Sequence, residues 1–529
     1  MRKHEKELSL AVELSLLIKQ TRKSTDVSSL NARKLALVAK EVSWKWDVLQ
    51  LRSGDLKFPV SETMAPLTLS IQFLQCRRVS LSWCVVRKIT QITQGHQQKK
   101  KRRVKQSPHA SWEERLSDAC TPLWRLGYEE QLKYKLKTLQ NVLRDLTICV
   151  RERGGQIIDY DGMICPLEEI IPSPVIYGYR NKSTFSVNFG PNGDPKTVGN
   201  YVGRERDRSI VCVHVDHLLN IPERHKLVAR FYEDFIRQSP LPPCLHFSDG
   251  GHWRDVTVRT SSNGDTMAIV NFHSQGLAQE EVRSHLLSLQ DFFVHGPGSV
   301  CSLTSLYYQE SYFGTCQFSP PRLLHGSAYL TERVLGLGLR VSPTAFLQIN
   351  TPGAELLYTA LGKMIENNAT NILIDICCGT GVIGLSLAGH FQEVVGVELI
   401  DDAVRDARWN MGFNGIENCQ FLAGKAEKLL PELLANRNKA DDVVAVVNPP
   451  RAGLHHRVVR ALRNYEGLQK LIFVTCKPEG EPGRNLTELC CSPCPEKKIF
   501  GKAFVPQKAV AVDMFPHTTH CELAMLLTR

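Results

Sequence analysis

Residues 341–529 alternate short apolar runs with longer amphipathic stretches. The apolar runs are NILIDI (371–376), EVVGVE (393–398), DVVAVVN (442–448), KLIFVTC (470–476), KAVAVDMF (508–515) and CELAMLLT (521–528). Amphipathic stretches such as DDAVRDARWNMGFNG (401–415) are typical of helices that connect buried strands. Strands that alternate with helices predict a doubly wound, mainly parallel α/β sheet over residues 341–529.

Residues 151–340 carry a different pattern, in which short β-rich runs are separated by turn sequences. STFSVNFG (183–190), RDVTVRT (254–260) and TMAIVNF (266–272) are such runs, and GPNGDP and SSNGDT are the turns beside them. Because the runs are short and the turns are close together, the pattern predicts an antiparallel α+β domain.

A helical segment, 111–150, is predicted before this domain. Its apolar residues recur every three or four positions and are Leu132, Leu136, Leu139, Val142, Leu143 and Leu146. The pattern is too short for a coiled coil, so we expect this face to pack on a later domain.

The first 110 residues differ in composition from the rest. From Thr63 to Trp112 the chain has no acidic residue, and the stretch from Met64 is rich in Ser and Arg. This composition is typical of a transit peptide. We therefore predict that residues 1–110 are a disordered extension with a mitochondrial targeting segment, and that Met64 is the true start. KKKRR (99–103) indicates either a nuclear signal or a solvated linker.

Overall composition sets broader limits. Lys and Arg exceed Asp and Glu by 65 − 54 = 11, which suits an acidic partner such as RNA. The 17 cysteines are scattered along a long chain, a pattern that favours reduced thiols over disulfides. The chain has no apolar run of the roughly 18–20 residues that a membrane span needs, so no membrane association is expected.

Glycines and acids follow the first two apolar runs of the α/β segment. Asp375, Gly379 and Gly381 stand where the first strand turns into a helix, and Glu398 ends the second strand. Glycines let a ligand approach helix amides, and such an acid binds a ribose diol. A nucleoside cofactor is therefore predicted. GTGVIG alone also matches a dinucleotide site, but the Asn-Pro-Pro that begins at Asn448 is typical of methyltransferases that use S-adenosylmethionine.

Cys476 ends the run KLIFVTC, at the same sheet edge as Asn448. Ligands and catalytic groups collect at the carboxyl ends of the strands in such sheets. A cysteine here is a candidate nucleophile, because thiolates attack carbon well. A cysteine after an apolar run is otherwise a packing residue.

Several ordered motifs extend over residues 111–529: TPLWRLGYEEQLKYK, GYRNKSTFSVN, AFLQIN, DICCGTG, VVGVE, NPPRAGL, VTCKP and FPHTTHCE. By these motifs the chain resembles the RNA uracil-5-methyltransferases, the family that makes ribothymidine. The resemblance implies an S-adenosylmethionine-dependent enzyme that methylates C5 of a uridine, in a tRNA T-loop or in rRNA. It implies cofactor contacts at Gln348, Glu398 and Asn448, a nucleophile at Cys476 and a base at Glu522.

Two residues depart from the family pattern. Asn448 replaces the usual Asp before the two prolines, and an amide still hydrogen-bonds but carries no charge. Lys477 replaces the usual Asn after the nucleophile, and its ammonium either lowers the pKa of Cys476 or disturbs base recognition. Arg451 is expected to pair with an enolate oxygen or a phosphate.

Cations and aromatic rings are interleaved at the start of the β-rich segment: Tyr177, Tyr179, Arg180, Lys182, Phe185, Arg204, Arg206 and Arg208. Such a mixture suits bases and phosphates. We predict that this segment binds RNA and that Arg180 and Lys182 contact its backbone. The alternative is an ordinary charged sheet face.

Two other functions stay open on the sequence alone. A catalytically inactive RNA-binding protein or RNA chaperone of the same fold is one, because Asn448 and Lys477 depart from the pattern. An amino-group methyltransferase is the other, although such sites place an aromatic ring where Arg451 stands. Some bacterial relatives of that family carry an iron–sulfur cluster on closely spaced N-terminal cysteines, a pattern that this chain lacks, so we expect no metal. We also expect a monomer, and His517 and His520 to be structural.

Overall fold

The computed structural model describes residues 110–203, 210–245, 250–311, 318–365, 370–437 and 442–529, and for 370–371 it describes the backbone alone. The helices are α1 (Trp112–Cys120), α2 (Tyr128–Arg151), α3 (Glu223–Gln238), α4 (Gln279–Val294), α5 (Thr351–Ile365), α6 (Val382–Leu387), α7 (Asp401–Phe413), α8 (Ala426–Ala435), α9 (His456–Asn464) and α10 (Glu481–Cys490). The strands of the N-terminal part are β1 (Lys182–Asn188), β2 (Thr197–Val202), β3 (Val211–Val213), β4 (Trp253–Thr260), β5 (Thr266–Phe272), β6 (Ser305–Glu310) and β7 (Arg322–Gly326). The remaining strands are β8 (Leu330–Val334), β9 (Leu337–Val341), β10 (Thr370–Ile376), β11 (Phe391–Glu398), β12 (Cys419–Ala423), β13 (Val443–Val447), β14 (Leu468–Thr475), β15 (Val505–Val512) and β16 (Glu522–Thr528).

The C-terminal sheet has seven strands in the order β12-β11-β10-β13-β14-β16-β15. The first five are parallel, and β16 is antiparallel to both of its neighbours. Along β13, Val443, Ala445 and Val447 belong to one hydrophobic cluster, while Val444 and Val446 belong to the cluster on the opposite face. A strand that is buried on both faces has to be apolar throughout, which is why these strands read as continuous apolar runs.

The N-terminal sheet also has seven strands, in the order β3-β2-β1-β4-β5-β6-β7. Most neighbours are antiparallel, as the sequence predicts, but β5 and β6 are parallel. Parallel neighbours need a crossover connection, and helix α4 supplies it. The prediction of an antiparallel domain is therefore corrected at this pair. Residues of α3 and α4 pack with the sheet in one hydrophobic cluster.

Helix α2 packs on the C-terminal sheet, as its apolar face predicts. Leu139, Val142 and Leu143 are buried in the cluster that covers one face of that sheet. The start of the helix differs from the prediction, because Leu132 and Leu136 are only partly buried while Gln131 and Lys135 are fully buried. The buried face of α2 thus begins with polar side chains, and those side chains need partners.

Two residues, one in the N-terminal sheet and one just before it, bind the segment that leads into α5. Arg259 on β4 donates from Nη1 to the carbonyl oxygens of Ser342 (2.9 Å), Pro343 (3.1 Å) and Ala345 (2.8 Å). Asn181, just before β1, donates from Nδ2 to the Gln348 carbonyl oxygen (2.7 Å). These bonds satisfy backbone carbonyls that no sheet pairs, and they fix residues 342–348 between the two sheets.

Some predictions fall outside the described residues. The disordered extension, its targeting segment and the KKKRR sequence lie in 1–109, and Arg204, Arg206 and Arg208 lie in 204–209. Within the described ranges, none of the helices is both long enough and apolar enough to cross a bilayer.

Candidate active site

A cavity of about 810 Å³ opens at the carboxyl ends of β10, β11, β13 and β14. Eight of the eleven predicted site residues line it: Arg180, Gln348, Gly379, Glu398, Asn448, Arg451, Cys476 and Glu522. The loops after parallel strands meet at one edge of the sheet, which is why residues so far apart in the chain come together. Asp375, Gly381 and Lys182 do not line the cavity.

Glu398 organises one half of the cavity. Its Oε2 accepts a hydrogen bond from the Gly379 N–H (3.0 Å), and its Oε1 accepts from the N–H groups of Leu399 (2.7 Å) and Ile400 (3.0 Å). The half-buried carboxylate is thereby fixed at the end of β11, and a carboxylate has further lone pairs for the hydroxyls of a ribose. Gly379 has φ 55°, and a Cβ there would lie 3.4 Å from the Phe346 carbonyl oxygen at the cavity wall.

Apolar side chains that belong to no sequence motif surround Glu398. Phe346, Leu399 and Ile400 are 59%, 57% and 45% exposed, although each lines the cavity. Exposed large apolar side chains grouped around polar groups are typical of a ligand site. The buried Gln348 lies on the same wall. A fixed carboxylate, a glycine turn and apolar walls together fit an adenosyl group.

Asp375 and Gly381 lie behind the cavity wall instead of on it. Asp375 is fully buried, accepts a hydrogen bond on Oδ2 from the Gly384 N–H in α6 (3.0 Å), and has its pKa raised to about 7 by burial. Gly381 has φ 80°, and a Cβ there would meet the Phe421 ring at 2.8 Å. The structure therefore gives both residues a role in shaping the turn between β10 and α6.

Cys476 and Glu522 lie in the other half of the cavity. Strands β14 and β16 are antiparallel, with Thr475 paired to Leu523. One further step of this register places Cys476 opposite Glu522. Cys476 is half-buried, whereas Glu522 is only 2% exposed. The thiol and the carboxyl group thus face one cavity from adjacent strand ends.

The pKa values of Cys476 and Glu522 depend on their burial and on the nearby guanidinium of Arg451. Burial, with a smaller effect of Glu522, raises the pKa of the Cys476 thiol, and a hydrogen bond from Arg451 opposes the rise. Burial raises the pKa of Glu522 to about 8, and Arg451 opposes that rise too. Burial lowers the pKa of His520, with smaller contributions from Arg451 and from the exposed Lys477. Arg451 is therefore the cation that favours the ionised forms of both groups.

The residues that the sequence predicts to bind RNA differ in their environment. Arg180 lines the cavity, and its Nε donates to the Lys182 carbonyl oxygen (3.2 Å). Lys182 is half-buried beside Arg259 and Arg180, and burial lowers its pKa to about 8. Tyr177 is 59% exposed.

Two of the predicted aromatic contacts are corrected. The Tyr179 side chain is buried, and its hydroxyl donates to the Pro516 carbonyl oxygen (3.0 Å). Phe185 is fully buried in the core of the N-terminal sheet. Neither ring can therefore stack on a base at the surface.

His517 and His520 occupy different environments. His517 is buried, with Nε2 2.9 Å from the Ile176 carbonyl oxygen and its backbone N–H donating to Gln131 Oε1 (2.7 Å). His520 is exposed. Among the residues that the structure describes, no group of three or more His, Cys, Asp or Glu side chains is placed to hold a metal ion.

A sheet of this strand order, with a glycine turn after its first strand and an acid at the end of its second, defines an S-adenosylmethionine-dependent methyltransferase fold. The family model for tRNA (uracil-5-)-methyltransferase matches residues 336–529. The chain belongs to the tRNA (uracil-5-)-methyltransferase family. The predictions of this fold class, this family and S-adenosylmethionine as cofactor are confirmed.

Named relatives agree with this assignment. The chain is 54% identical over 426 residues to tRNA (uracil-5-)-methyltransferase homolog B of Homo sapiens, covering 79% of this chain and 84% of the human protein. It is 39% identical to homolog A of Mus musculus, covering 78% and 69%. The crystal structure of Pyrococcus abyssi tRNA (uracil-54, C5)-methyltransferase in complex with S-adenosyl-L-homocysteine shares the fold, with a TM-score of 0.53, 22% identity and coverage of 77% and 85%.

Proposed function

We propose that this chain transfers a methyl group from S-adenosylmethionine to C5 of a uridine in tRNA through a covalent intermediate on Cys476. The observation that carries the proposal is that Cys476 and Glu522 line the same cavity as Glu398 and Gly379, next to Thr475 and Leu523, which are paired across β14 and β16. Gln348, Glu398, Asn448 and Gly379 would hold the cofactor, while Asp375 and Gly381 shape the turn behind it.

The chemistry requires both groups, because C5 of uracil is a poor nucleophile. Addition of the Cys476 thiolate to C6 forms a C–S bond and moves the C5=C6 electron pair into an enolate at O4. S-adenosylmethionine, when bound, supplies the electrophilic methyl group that C5 then takes. The Glu522 carboxylate removes the proton from C5, the double bond reforms, and the thiolate leaves C6.

Arg451 supports two of these steps in the proposal. Its guanidinium lowers the pKa of the Cys476 thiol, against the effect of burial, which increases the thiolate fraction. The side chain is exposed at the cavity, so it is also free to pair with the enolate oxygen or with a phosphate.

The target uridine has to leave its stack to reach this cavity. Arg180 lines the cavity, and Lys182 follows it on β1, so we propose that both contact RNA beside the flipped nucleotide. In this proposal residues 151–340 form the RNA-binding domain, residues 341–529 form the methyltransferase domain, and the helical segment 111–150 precedes both. We also propose a monomer, which light scattering would test.

The covalent mechanism predicts different results for two variants. Cys476→Ala should abolish methylation and leave binding of S-adenosylmethionine nearly intact, because Glu398 ends a different strand and Gln348, Gly379 and Asn448 lie in loops that follow other strands. Glu522→Gln should permit addition and methyl transfer but block proton removal, so an enzyme–RNA adduct should accumulate and turnover should fall by roughly 10²–10⁴-fold. A denaturing gel with substrate tRNA and S-adenosylmethionine detects the adduct.

Matched controls exist inside the same cavity. Cys377→Ser changes another thiol of the cavity wall, and Glu427→Gln changes another carboxylate, so neither should trap RNA. RNA with 5-fluorouridine should trap the unaltered enzyme as well, since fluorine does not leave as a proton does. The mechanism would be contradicted if the unaltered enzyme forms ribothymidine but no adduct is seen, neither with Glu522→Gln nor with 5-fluorouridine RNA.

The same assay separates the other functions. An amino-group methyltransferase has no use for a thiol adduct, so Cys476→Ala would stay active. A non-catalytic RNA-binding protein would form no ribothymidine with any RNA. Transcripts of tRNA and rRNA offered in parallel decide between tRNA and rRNA as substrate.

We propose a mitochondrial location, on the strength of the acid-free composition from Thr63 to Trp112. A reporter fused to residues 64–110 should enter the matrix. A signal confined to the nucleus would reject the proposal and favour KKKRR as a nuclear signal.

A further inference from the structure

A buried ion pair joins helix α2 to the loop in front of Glu522. Lys135 Nζ donates to Asp513 Oδ1 (2.5 Å) and to the Phe515 carbonyl oxygen (2.9 Å). Both charged side chains are completely buried. Lys135 and Asp513 lie 378 residues apart in the chain, so only the tertiary fold brings them into contact.

The loop that Lys135 holds carries two parts of the candidate active site. It runs from Asp513 to Cys521 between β15 and β16, Phe515 within it lines the cavity, and Glu522 begins the next strand. Asp513 Oδ1 also accepts a hydrogen bond from the Phe515 N–H (3.1 Å). The ammonium therefore contacts the backbone of a residue that lines the cavity.

A second contact from the same helix holds the middle of this loop. Gln131 Oε1 accepts a hydrogen bond from the His517 N–H (2.7 Å), and the Leu123 N–H donates to the His517 carbonyl oxygen (2.9 Å). His517 has φ 66°, in the left-handed region that a histidine seldom occupies. An uncommon backbone conformation persists where its surroundings fix it, and Gln131 supplies that restraint.

A buried ion pair is weak support for stability, because desolvation of the two charges offsets their attraction. Apolar residues of similar size often stabilise such a site equally well or better. The directional bonds that Lys135 makes to Asp513 and Phe515 are what an apolar pair cannot reproduce. We propose that Lys135 is a positioning residue, whose ammonium fixes the 513–521 loop so that Glu522 can reach the proton on C5.

This inference rests on the proposed function and makes a step-specific prediction. Loss of Lys135 should slow proton removal by Glu522 but leave the addition of Cys476 to C6 and the methyl transfer intact. The methylated enzyme–RNA adduct should then accumulate with ordinary uridine RNA, as it should in Glu522→Gln.

The test compares four variants by turnover, cofactor binding and adduct formation. Lys135→Met should lower kcat by roughly 10–100-fold, part of the effect of losing a general base, with little change in binding of S-adenosylmethionine. Lys135→Arg should recover part of kcat. Because Lys135→Met leaves the Asp513 carboxylate unpaired and risks misfolding, Lys135→Met with Asp513→Leu removes both charges. Lys133→Met is the matched control, since Lys133 is an exposed residue of the same helix.

The double variant, Lys135→Met with Asp513→Leu, is the decisive test of the positioning role of Lys135. It should unfold near the temperature of the unaltered protein, stay slow, and accumulate adduct. A double variant with full kcat, or a slow one without adduct, would overturn the positioning role. With 5-fluorouridine RNA, all of these variants should form the covalent enzyme–RNA adduct as fast as the unaltered enzyme does. If the unaltered enzyme fails to trap, the proposed function itself has failed, which is a separate result.

Discussion

At the scale of single residues, burial favours the protonated forms of both the Cys476 thiol and the Glu522 carboxyl group. Burial raises the pKa of each, to about 8 for Glu522. The proposed mechanism needs the thiolate for addition and the carboxylate for proton removal. Ionisation of both groups increases with pH, so kcat/KM should rise from pH 6 through about pH 8, where Glu522 ionises, and should continue to rise at higher pH as the Cys476 thiol ionises.

Arg451→Gln should move this rise to higher pH. Arg451 lowers the pKa of both groups, so its removal raises both values and reduces the ionised fractions at pH 7. Loss of a hydrogen bond to a charged group, about 1.5–3 kcal/mol, predicts a fall in activity of roughly tenfold or more at pH 7, with partial recovery above pH 9. Profiles of kcat/KM against pH measure this.

Lys477→Gln is the control for Arg451→Gln, because Lys477 is exposed and adjacent to Cys476 in the chain. Its profile should keep the original midpoint. If Arg451→Gln lowers activity equally at every pH, then Arg451 acts on the RNA and leaves the ionisation of Cys476 and Glu522 unchanged.

Glu522→Gln should make the protein more stable in alkaline solution. The native pKa of Glu522, about 8, lies above its ordinary value of 4.5, so the folded state favours the protonated form. The stabilisation is therefore fully present below pH 4.5 and is lost as pH rises from there through 8, by up to several kcal/mol. Thermal unfolding at pH 4.5 and pH 9 should show a much larger Tm gain for the variant at pH 9 than at pH 4.5. Exposed Glu479, changed to Gln, should show no gain at either pH.

At the scale of elements, the turn between β10 and α6 depends on Gly381. A Cβ there would lie 2.8 Å from the Phe421 ring and 3.0 Å from the Ala407 Cβ, at a φ of 80°. Left-handed strain and overpacking together predict a loss of roughly 2–4 kcal/mol for Gly381→Ala. Urea unfolding measures the loss. Gly389→Ala, at a glycine with open space around it, should be neutral or slightly stabilising.

The elements differ in how well their sequences predict them. Strands such as β13 are buried on both faces, so an unbroken apolar run identifies them. In β1 only alternate residues enter the core, and the sequence does not say which face is covered. The sequence therefore predicts Phe185 at the surface, whereas the structure buries it fully. Lys135 was not singled out because a buried lysine has no local signature and its partner, Asp513, is brought to it by folding.

The residues of the candidate site also differ in how well the sequence predicts them. Cys476 and Glu398 end apolar strands, and the rule that parallel strands share a ligand-binding edge predicts their proximity. Phe346, Leu399 and Ile400 are apolar residues in loops, and neither periodicity nor charge distinguishes them from ordinary surface residues. Only the cavity that they line reveals them.

At the scale of the whole molecule, Arg180, which precedes the first strand of the N-terminal sheet, lines a cavity at the edge of the C-terminal sheet. Arg180 lies at the junction, next to Asn181, which holds the Gln348 carbonyl oxygen. Arg180→Gln should weaken binding of tRNA and reduce the slope of log affinity against log salt by about 1. Arg283→Gln, on the exposed side of α4, is the control. An unchanged slope would show that Arg180 makes no phosphate contact.

The antiparallel pairing of β14 with β16 has a consequence for how this site tolerates insertions and deletions. A ladder fixes which residues are opposite, but it leaves free the length of chain that joins them. An insertion in the exposed turn Pro495–Lys497 should therefore leave the thiol and the carboxyl group in place. A single residue inserted within β16 would turn its side chains to the opposite face and withdraw Glu522. The distance in sequence between nucleophile and base is thus free to drift among relatives, while the lengths of these two strands are not.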